Sequence, residues 1–288
     1  MATPLTIEET KRLAAQEAVR NHYPADARYV GIGSGTTIVY VVEAIKEQGF
    51  DTSKTLFVPT GTGSRNLILN AGLTPIAFDM LPEGTVLDVA FDGADEVDDE
   101  LNCIKGGGAC LFQEKLVARQ AKEFVCVADY RKLQPRLLTN WTYIPIEVAP
   151  ISRFRVLAAL ERLGSIRPSL RGIASTSQAT GVKEFIPLKT DQDFYLIDAP
   201  FKTLVTASDV KSGKVDGDGK GKNGVWEVET LCREIKCIEG VLDVGIFSGL
   251  TGPQTIERGW GVGGQKPVAA YFGMADGTVA VRKAVDAE

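Results

Sequence analysis

Asp92 and Asp95 stand three positions apart in the stretch DGAD, Lys105 runs directly onto Gly106, Gly107 and Gly108, and Glu114 follows shortly after. Held close, two carboxylates raise the pKa of one of them, giving a group that donates or accepts a proton near neutral pH. The same pair could instead hold magnesium, although a third well-placed acidic ligand is wanting. The glycines after Lys105 allow close backbone approach, a helix start adds its positive end, and the lysine adds a full charge. That combination suits a phosphate or an oxyanion. It is not a Walker loop, because the lysine precedes the glycines. Glu114 sits among apolar neighbours (Leu111, Phe112, Leu116, Val117). It is either a partly desolvated general base or an exposed helix residue paired with Lys115 or Lys122. Four further acids, Glu96, Asp98, Asp99 and Glu100, read as solvated surface. The chain has one histidine, His22, which reads as a turn residue, so acid–base work falls to carboxylates and lysines.

These groups need strand ends that lead into helix starts, the places where open α/β sheets hold ligands. An apolar run of buried-strand length, Val86 to Phe91, ends at Asp92, a short run from Leu101 to Ile104 delivers Lys105, and Ala109 to Lys122 reads as a helix. Upstream, Thr6 to Glu9 is a capping box opening a helix to about Arg20. Tyr29 to Ile32 reads as a strand, Ile38 to Gln48 as a helix, Lys54 to Pro59 as a strand and Arg65 to Ala71 as a helix. A short strand is expected at Thr74 to Phe78 and a buried one at Phe124 to Ala128. The alternation predicts an α/β fold with a doubly wound, Rossmann-like parallel sheet.

Composition changes near Leu138. Trp141 to Val148, Ile166 to Arg171, Phe194 to Ile197 and Val241 to Phe247 read as strands. Ser152 to Leu163, with Phe154, Leu157 and Leu160 on one side, and Glu227 to Ile238 read as helices. We therefore expect a Rossmann-like catalytic domain of residues 1–138 plus roughly 248–288, and a second, smaller α+β domain of 139–247, with strands at Lys266 to Phe272 and Thr278 to Lys283 returning to the first sheet. The segment from Lys211 to Gly224 reads as an exposed loop with no convincing helix before it. Its Asp216, Asp218, Gly221 and Glu227 imitate a calcium loop, but Lys220 stands where an oxygen ligand is needed.

The turn Gly31-Ile-Gly-Ser-Gly35-Thr-Thr37 invites a dinucleotide reading, which fails because Thr36 or Ile38 replaces the third glycine and the next strand ends without an acid. What remains is a helix N-terminus with the hydroxyls of Ser34, Thr36 and Thr37. It suits one phosphate or a polyhydroxy ligand, or is simply a tight turn. Thr60 to Ser64 is a second small-residue turn. The 288 residues carry 44% apolar and 24% charged side chains, ordinary for a soluble globular protein. A net charge of −5 without a long basic cluster argues against nucleic acid. No apolar run approaches membrane-spanning length and the N-terminus lacks a hydrophobic signal region, so no membrane partner is expected. The five cysteines are odd in number and lack metal-pair spacing, which reads as reduced and cytosolic.

GIGSGTT, DGADEVD, KGGGACLFQEK and VADYRK, in this order and spacing, resemble ribose-5-phosphate isomerase of the A type, with the inserted loop and extended tail looking like the fungal or other eukaryotic form. The resemblance implies an aldose–ketose isomerase of the non-oxidative branch of the pentose phosphate pathway, working through a cis-enediol. It implies Glu114 as the catalytic base, assisted by Asp92, Asp95 and Lys105. Ser34, Gly35, Thr36, Thr37, Gly93, Ala94, Gly106, Gly107, Gly108 and Lys132 would line the sugar-phosphate site, with Lys11 and Arg131 as weaker phosphate candidates. It further implies no metal or organic cofactor, a cytoplasmic location and a homodimer or homotetramer. Two other classes offer similar domains: a sugar-phosphate sensor, which needs a DNA-binding segment, and an acyl-CoA transferase-like enzyme with Glu114 as nucleophile.

Overall fold

The computed structural model describes residues 5–176, 183–213, 215 and 217–284. The chain divides into two compact units. One comprises residues 1–103, 113–135 and 247–288, and the other 104–112 and 136–246.

The first unit begins with helix α1 (Ile7–His22), whose Thr6 hydroxyl accepts the Glu9 N–H at 3.3 Å while the Glu9 carboxylate accepts the Thr6 N–H at 2.7 Å. Alternation follows: β1 (Tyr29–Ile32), α2 (Ile38–Glu47), β2 (Leu56–Pro59), α3 (Thr62–Asn70) and β3 (Val89–Asp92). Thr74 to Phe78 forms no strand. It contributes one isolated parallel bridge from Pro75 to Phe57, in which the Phe57 N–H donates to the Thr74 carbonyl and the Ile76 N–H to the Phe57 carbonyl, each at 2.9 Å. Two-residue strands β4 (Glu96–Val97) and β5 (Cys103–Ile104) precede α4 (Leu111–Arg119) and β6 (Phe124–Asp129).

The second unit holds β7 (Ile144–Val148), α5 (Arg153–Arg162), β8 (Ser169–Leu170), β9 (Gly172–Thr176), β10 (Lys183–Pro187), β11 (Tyr195–Ala199), α6 (Ala207–Lys211), α7 (Val228–Lys236) and β12 (Val241–Val244). The chain closes with β13 (Ile246–Phe247), α8 (Gly252–Glu257), β14 (Ala269–Gly273) and β15 (Val279–Lys283).

In the first unit the sheet order is β15-β14-β6-β3-β1-β2. Every neighbouring pair is parallel except β14 with β15, the antiparallel edge. The sheet is thus the α/β, Rossmann-like one the alternation predicts, and the tail strands do join it. α1 lies close against it because its inner face is Ala14, Ala15, Ala18 and Val19, all fully buried. A Cβ on Gly273 would come 1.8 Å from the Thr10 carbonyl oxygen, so only glycine permits that approach. His22 is the last residue of α1 and not part of a turn. Its ring nitrogens meet Glu123 Oε2 at 2.7 Å and the Tyr271 hydroxyl at 2.9 Å, which fixes the helix end.

In the second unit the sheet β12-β7-β11-β8 is antiparallel at the pairs β12 with β7, β7 with β11, and β11 with β8. Helices α5 and α7 supply Val156, Leu160, Leu231 and Ile235 to its core. Phe154 is not among them, being 68% exposed, because Val156 and Leu160 define the inward face of α5. β9 and β10 form a separate antiparallel pair. A short helix, α6, does precede the polar segment before Gly224, capped by the Thr206 hydroxyl on the Asp209 N–H at 3.2 Å. Asp216, one of the calcium-like positions, lies outside the described residues.

Candidate active site

The first glycine turn owes its shape to Asp92. The carboxylate sits at the end of β3, 2% exposed, and its Oδ1 accepts the Ser34 N–H at 3.1 Å and the Gly93 N–H at 2.7 Å. Gly33 passes so close that a Cβ there would lie 1.9 Å from Oδ1. Gly35 adopts φ of +97°, which turns the chain into α2. The Ser34 hydroxyl lies 2.8 Å from that of Thr60, so the ends of β1 and β2 are tied at the same rim. Thr60 and Gly61 donate their N–H groups to the Ser64 hydroxyl at 3.0 and 3.1 Å, so the second small-residue turn serves to start α3. Gly35 and Thr36 are exposed, while Thr37, Gly93, Ala94 and Asp95 are half-buried.

Lys11 belongs to this rim. It is 7% exposed, and its Nζ donates to Thr36 Oγ1 and Glu8 Oε1, each at 2.9 Å. Arg131 is committed elsewhere, with Nε and Nη2 donating to Asp129 at 2.7 and 3.0 Å. Burial alone would lift the Asp129 carboxyl, but the Arg131 hydrogen bonds and charge hold it below the usual carboxylate range. Lys132 ends the short 3-10 turn after β6 and is half-buried.

Glu114 occupies the first turn of α4 and is 4% exposed. Of its two sequence readings the exposed one is therefore overturned. α4 packs tightly, since a Cβ on Gly31 would lie 2.5 Å from Val117 Cγ1. The acids beyond Asp95 depart from the expectation of a solvated run. Glu96 and Asp98 are fully buried. Asp98 takes the N–H groups of Glu100 and Asn102 and the Asn102 side-chain amide, each at 2.9 Å. Only Asp99 is exposed, and Glu100 is half-buried.

Within the second unit Lys105 is 3% exposed, and its N–H donates to the Gly245 carbonyl at 2.9 Å. Gly106 has φ of +105°, and a Cβ on it would meet Pro145 at 2.9 Å and Leu111 at 3.0 Å. Gly107 is half-buried and Gly108 exposed. The start of α4 is anchored by Glu147, whose carboxylate accepts the Phe112 N–H at 3.3 Å and the Thr190 hydroxyl at 2.6 Å. Burial pushes the Glu147 carboxyl up, against those hydrogen bonds.

Residues 56–257 match the family model of ribose 5-phosphate isomerase A (phosphoriboisomerase A), a span that contains Asp92, Lys105, Glu114 and Lys132. The chain belongs to the ribose 5-phosphate isomerase A family. Among its relatives, the ribose-5-phosphate isomerase of Mycosarcoma maydis is 40% identical over 280 residues, covering 96% of this chain and 82% of the relative. That of Candida albicans is 37% identical over 283 residues, covering 98% and 99%. The solved ribose 5 phosphate isomerase A of Neisseria gonorrhoeae superposes with a TM-score of 0.72 at 27% identity, covering 98% of this chain and all of that one. A D-ribose-5-phosphate isomerase solved in complex with phospho-erythronic acid gives 0.71 at 25% identity, covering 97% and 100%.

Two contacts, one within each unit, escaped the residue pattern. One is the contact of Lys11 with Thr36, which joins side chains 25 positions apart. The other is Arg171, whose Nη1 donates to the carbonyls of Gly106 and Gly107 at 2.9 and 3.1 Å. A lone arginine at the end of a short strand gives no sequence signal of such a role. No helix among the described residues is long and apolar enough to cross a membrane.

Proposed function

We propose that the chain interconverts D-ribose 5-phosphate and D-ribulose 5-phosphate through a cis-enediol. The observation that carries this reading is the burial of Glu114 at the start of a helix that follows directly on Lys105 and the glycines. In the opened aldose the carbonyl at C1 acidifies C2. Glu114 takes the C2 proton, leaving an enediolate, and returns it to C1, while the O2 proton passes to O1 and the C2 oxygen becomes the ketose carbonyl. Lys105 and the amides of the Gly106–Gly108 turn stabilise the negative oxygen that develops. Asp92 and Asp95 hold sugar hydroxyls and assist ring opening. Ser34 to Thr37, Gly93 and Ala94 contact the sugar phosphate, and Lys132, with Lys11, meets the dianion, whose neighbouring acids make such cations necessary. The sugar supplies its own electron sink, so the proposed steps use no cofactor.

In this reading residues 1–138 with roughly 248–288 form the catalytic domain and 139–247 the smaller one. We propose a cytoplasmic enzyme acting as a homodimer or homotetramer. The apolar residues Ile173, Phe185 and Ile186, 66%, 52% and 48% exposed on the β9–β10 pair, support self-association. The test of function is incubation with ribose 5-phosphate in deuterated water without added metal. Ketose carrying deuterium at C1 is the expected product, and no ketose would remove the reading.

A further inference from the structure

Arg171 is held from every side before it reaches the glycine turn. Its N–H donates to the Leu196 carbonyl of β11 at 2.8 Å and its carbonyl accepts the N–H of Leu188, just after β10, at 2.9 Å, so the backbone is fixed on both sides. Its guanidinium lies 5.7 Å from the Tyr143 ring centroid. Nε donates to both Asp198 oxygens at 3.1 and 3.0 Å, and Nη2 donates to Oδ1 at 2.5 Å. Both side chains are largely withdrawn from water, at 14% and 19% exposure, where such a fork is rigid. The remaining nitrogen, Nη1, donates to the carbonyl oxygens of Gly106 and Gly107. The Gly106 oxygen also accepts the Ala109 N–H at 3.1 Å, which closes the turn.

A trans peptide is planar, with C=O and N–H pointing in opposite directions. Aiming the carbonyls of Gly106 and Gly107 at Arg171 therefore aims the N–H groups of Gly107 and Gly108 away from it. We infer that Arg171, locked by Asp198, is a positioning residue that fixes two amides of the Lys105–Gly108 turn toward the developing enediolate oxygen. This rests on the isomerase reading above and deepens it. Glycines lack side chains to hold their peptide planes, and the turn includes Ala109 at φ of +66°, an orientation that L-residues resist. Without an external clamp the amides would sample several orientations, and an oxyanion donor acts only when it is pre-set.

The test uses the full chain and compares wild type with Arg171→Met, Arg171→Lys and Asp198→Asn. For each, kcat and KM with ribose 5-phosphate are measured, with inhibition by phospho-erythronic acid, whose carboxylate copies the paired oxygens of the enediolate. We expect Arg171→Met to lower kcat about 10- to 100-fold with KM within threefold, and inhibitor affinity to fall in step with kcat/KM. Arg171→Lys keeps charge but not the fork, and Asp198→Asn keeps the fork but not its lock, so each should fall between. Thermal melting reports folding, and if the methionine variant does not fold, the lysine and asparagine variants decide. Folded variants with kcat within twofold of wild type overturn the inference, as does a loss that inhibitor affinity does not follow. Wild type inactive on ribose 5-phosphate would instead overturn the isomerase reading.

Discussion

Asp92 Oδ1 accepts the backbone N–H of Ser34 at 3.1 Å, binding the end of β3 to the turn after β1. The contact exists because Gly33 has no side chain, a Cβ there lying 1.9 Å from the same oxygen. Gly33→Ala should displace the carboxylate and cost about 1–3 kcal/mol of stability through local overpacking. Its larger effect should be on turnover, about tenfold or more, because Asp92 and the Ser34 turn move together. Melting temperature and kcat measured on one preparation check this, and full activity in a folded variant would show that Asp92 tolerates displacement.

Glu114→Gln keeps the side chain's shape and one acceptor oxygen but removes the base. A general base contributes about 10²–10⁴-fold, so kcat should fall by at least that range while KM stays within a few-fold. Solvent deuterium exchange into the substrate should fall with it. Exchange that persists at the wild-type rate would assign the proton transfer to another group.

Lys11 donates to Thr36 from a nearly buried position, and Glu8 shares its charge. Lys11→Met preserves the length of the side chain and removes its charge. If the cation meets the phosphate, KM for ribose 5-phosphate should rise about tenfold or more, in line with loss of a charged hydrogen bond of roughly 1.5–3 kcal/mol, and kcat should change less. The measurement that separates this from a packing role is inhibition by inorganic phosphate, which should weaken in parallel.

The features legible in the sequence were those set by local rules. Thr6 and Glu9 mark the start of α1 because a capping box is contained in four residues, and β1, β3 and β6 announce themselves as apolar runs ending at small or acidic residues. What escaped depended on partners distant in the chain. Arg171 is defined by Asp198, 27 residues later, and by Gly106, 65 residues earlier. The β9–β10 pair carries Ile173 and Phe185 on exposed positions, so it lacks the inward alternation by which a half-buried strand is read. Glu96 and Asp98 were hidden by composition, since six acids in nine residues look solvated until Leu101, at φ of +64°, turns Asn102 back onto Asp98.

Asp98 carries a prediction of its own. Full burial pushes its carboxyl from 3.8 up to about 6, against three hydrogen bonds from Asn102 and Glu100 that favour the charged form. Between pH 4 and 6 the folded chain then holds a proton that the unfolded chain has released, so this group lowers stability as pH rises through that window and contributes no slope above it. Two pKa units correspond to roughly 2–3 kcal/mol. Asp98→Asn removes the titration, while its carbonyl oxygen still accepts the two N–H groups. Stability of the variant relative to wild type should therefore climb by about that amount from pH 4 to 6 and level off from 6 to 8. Urea denaturation at each pH gives the difference directly, and a gap that stays constant with pH would mean that Asp98 ionises in the folded chain as readily as in the unfolded one.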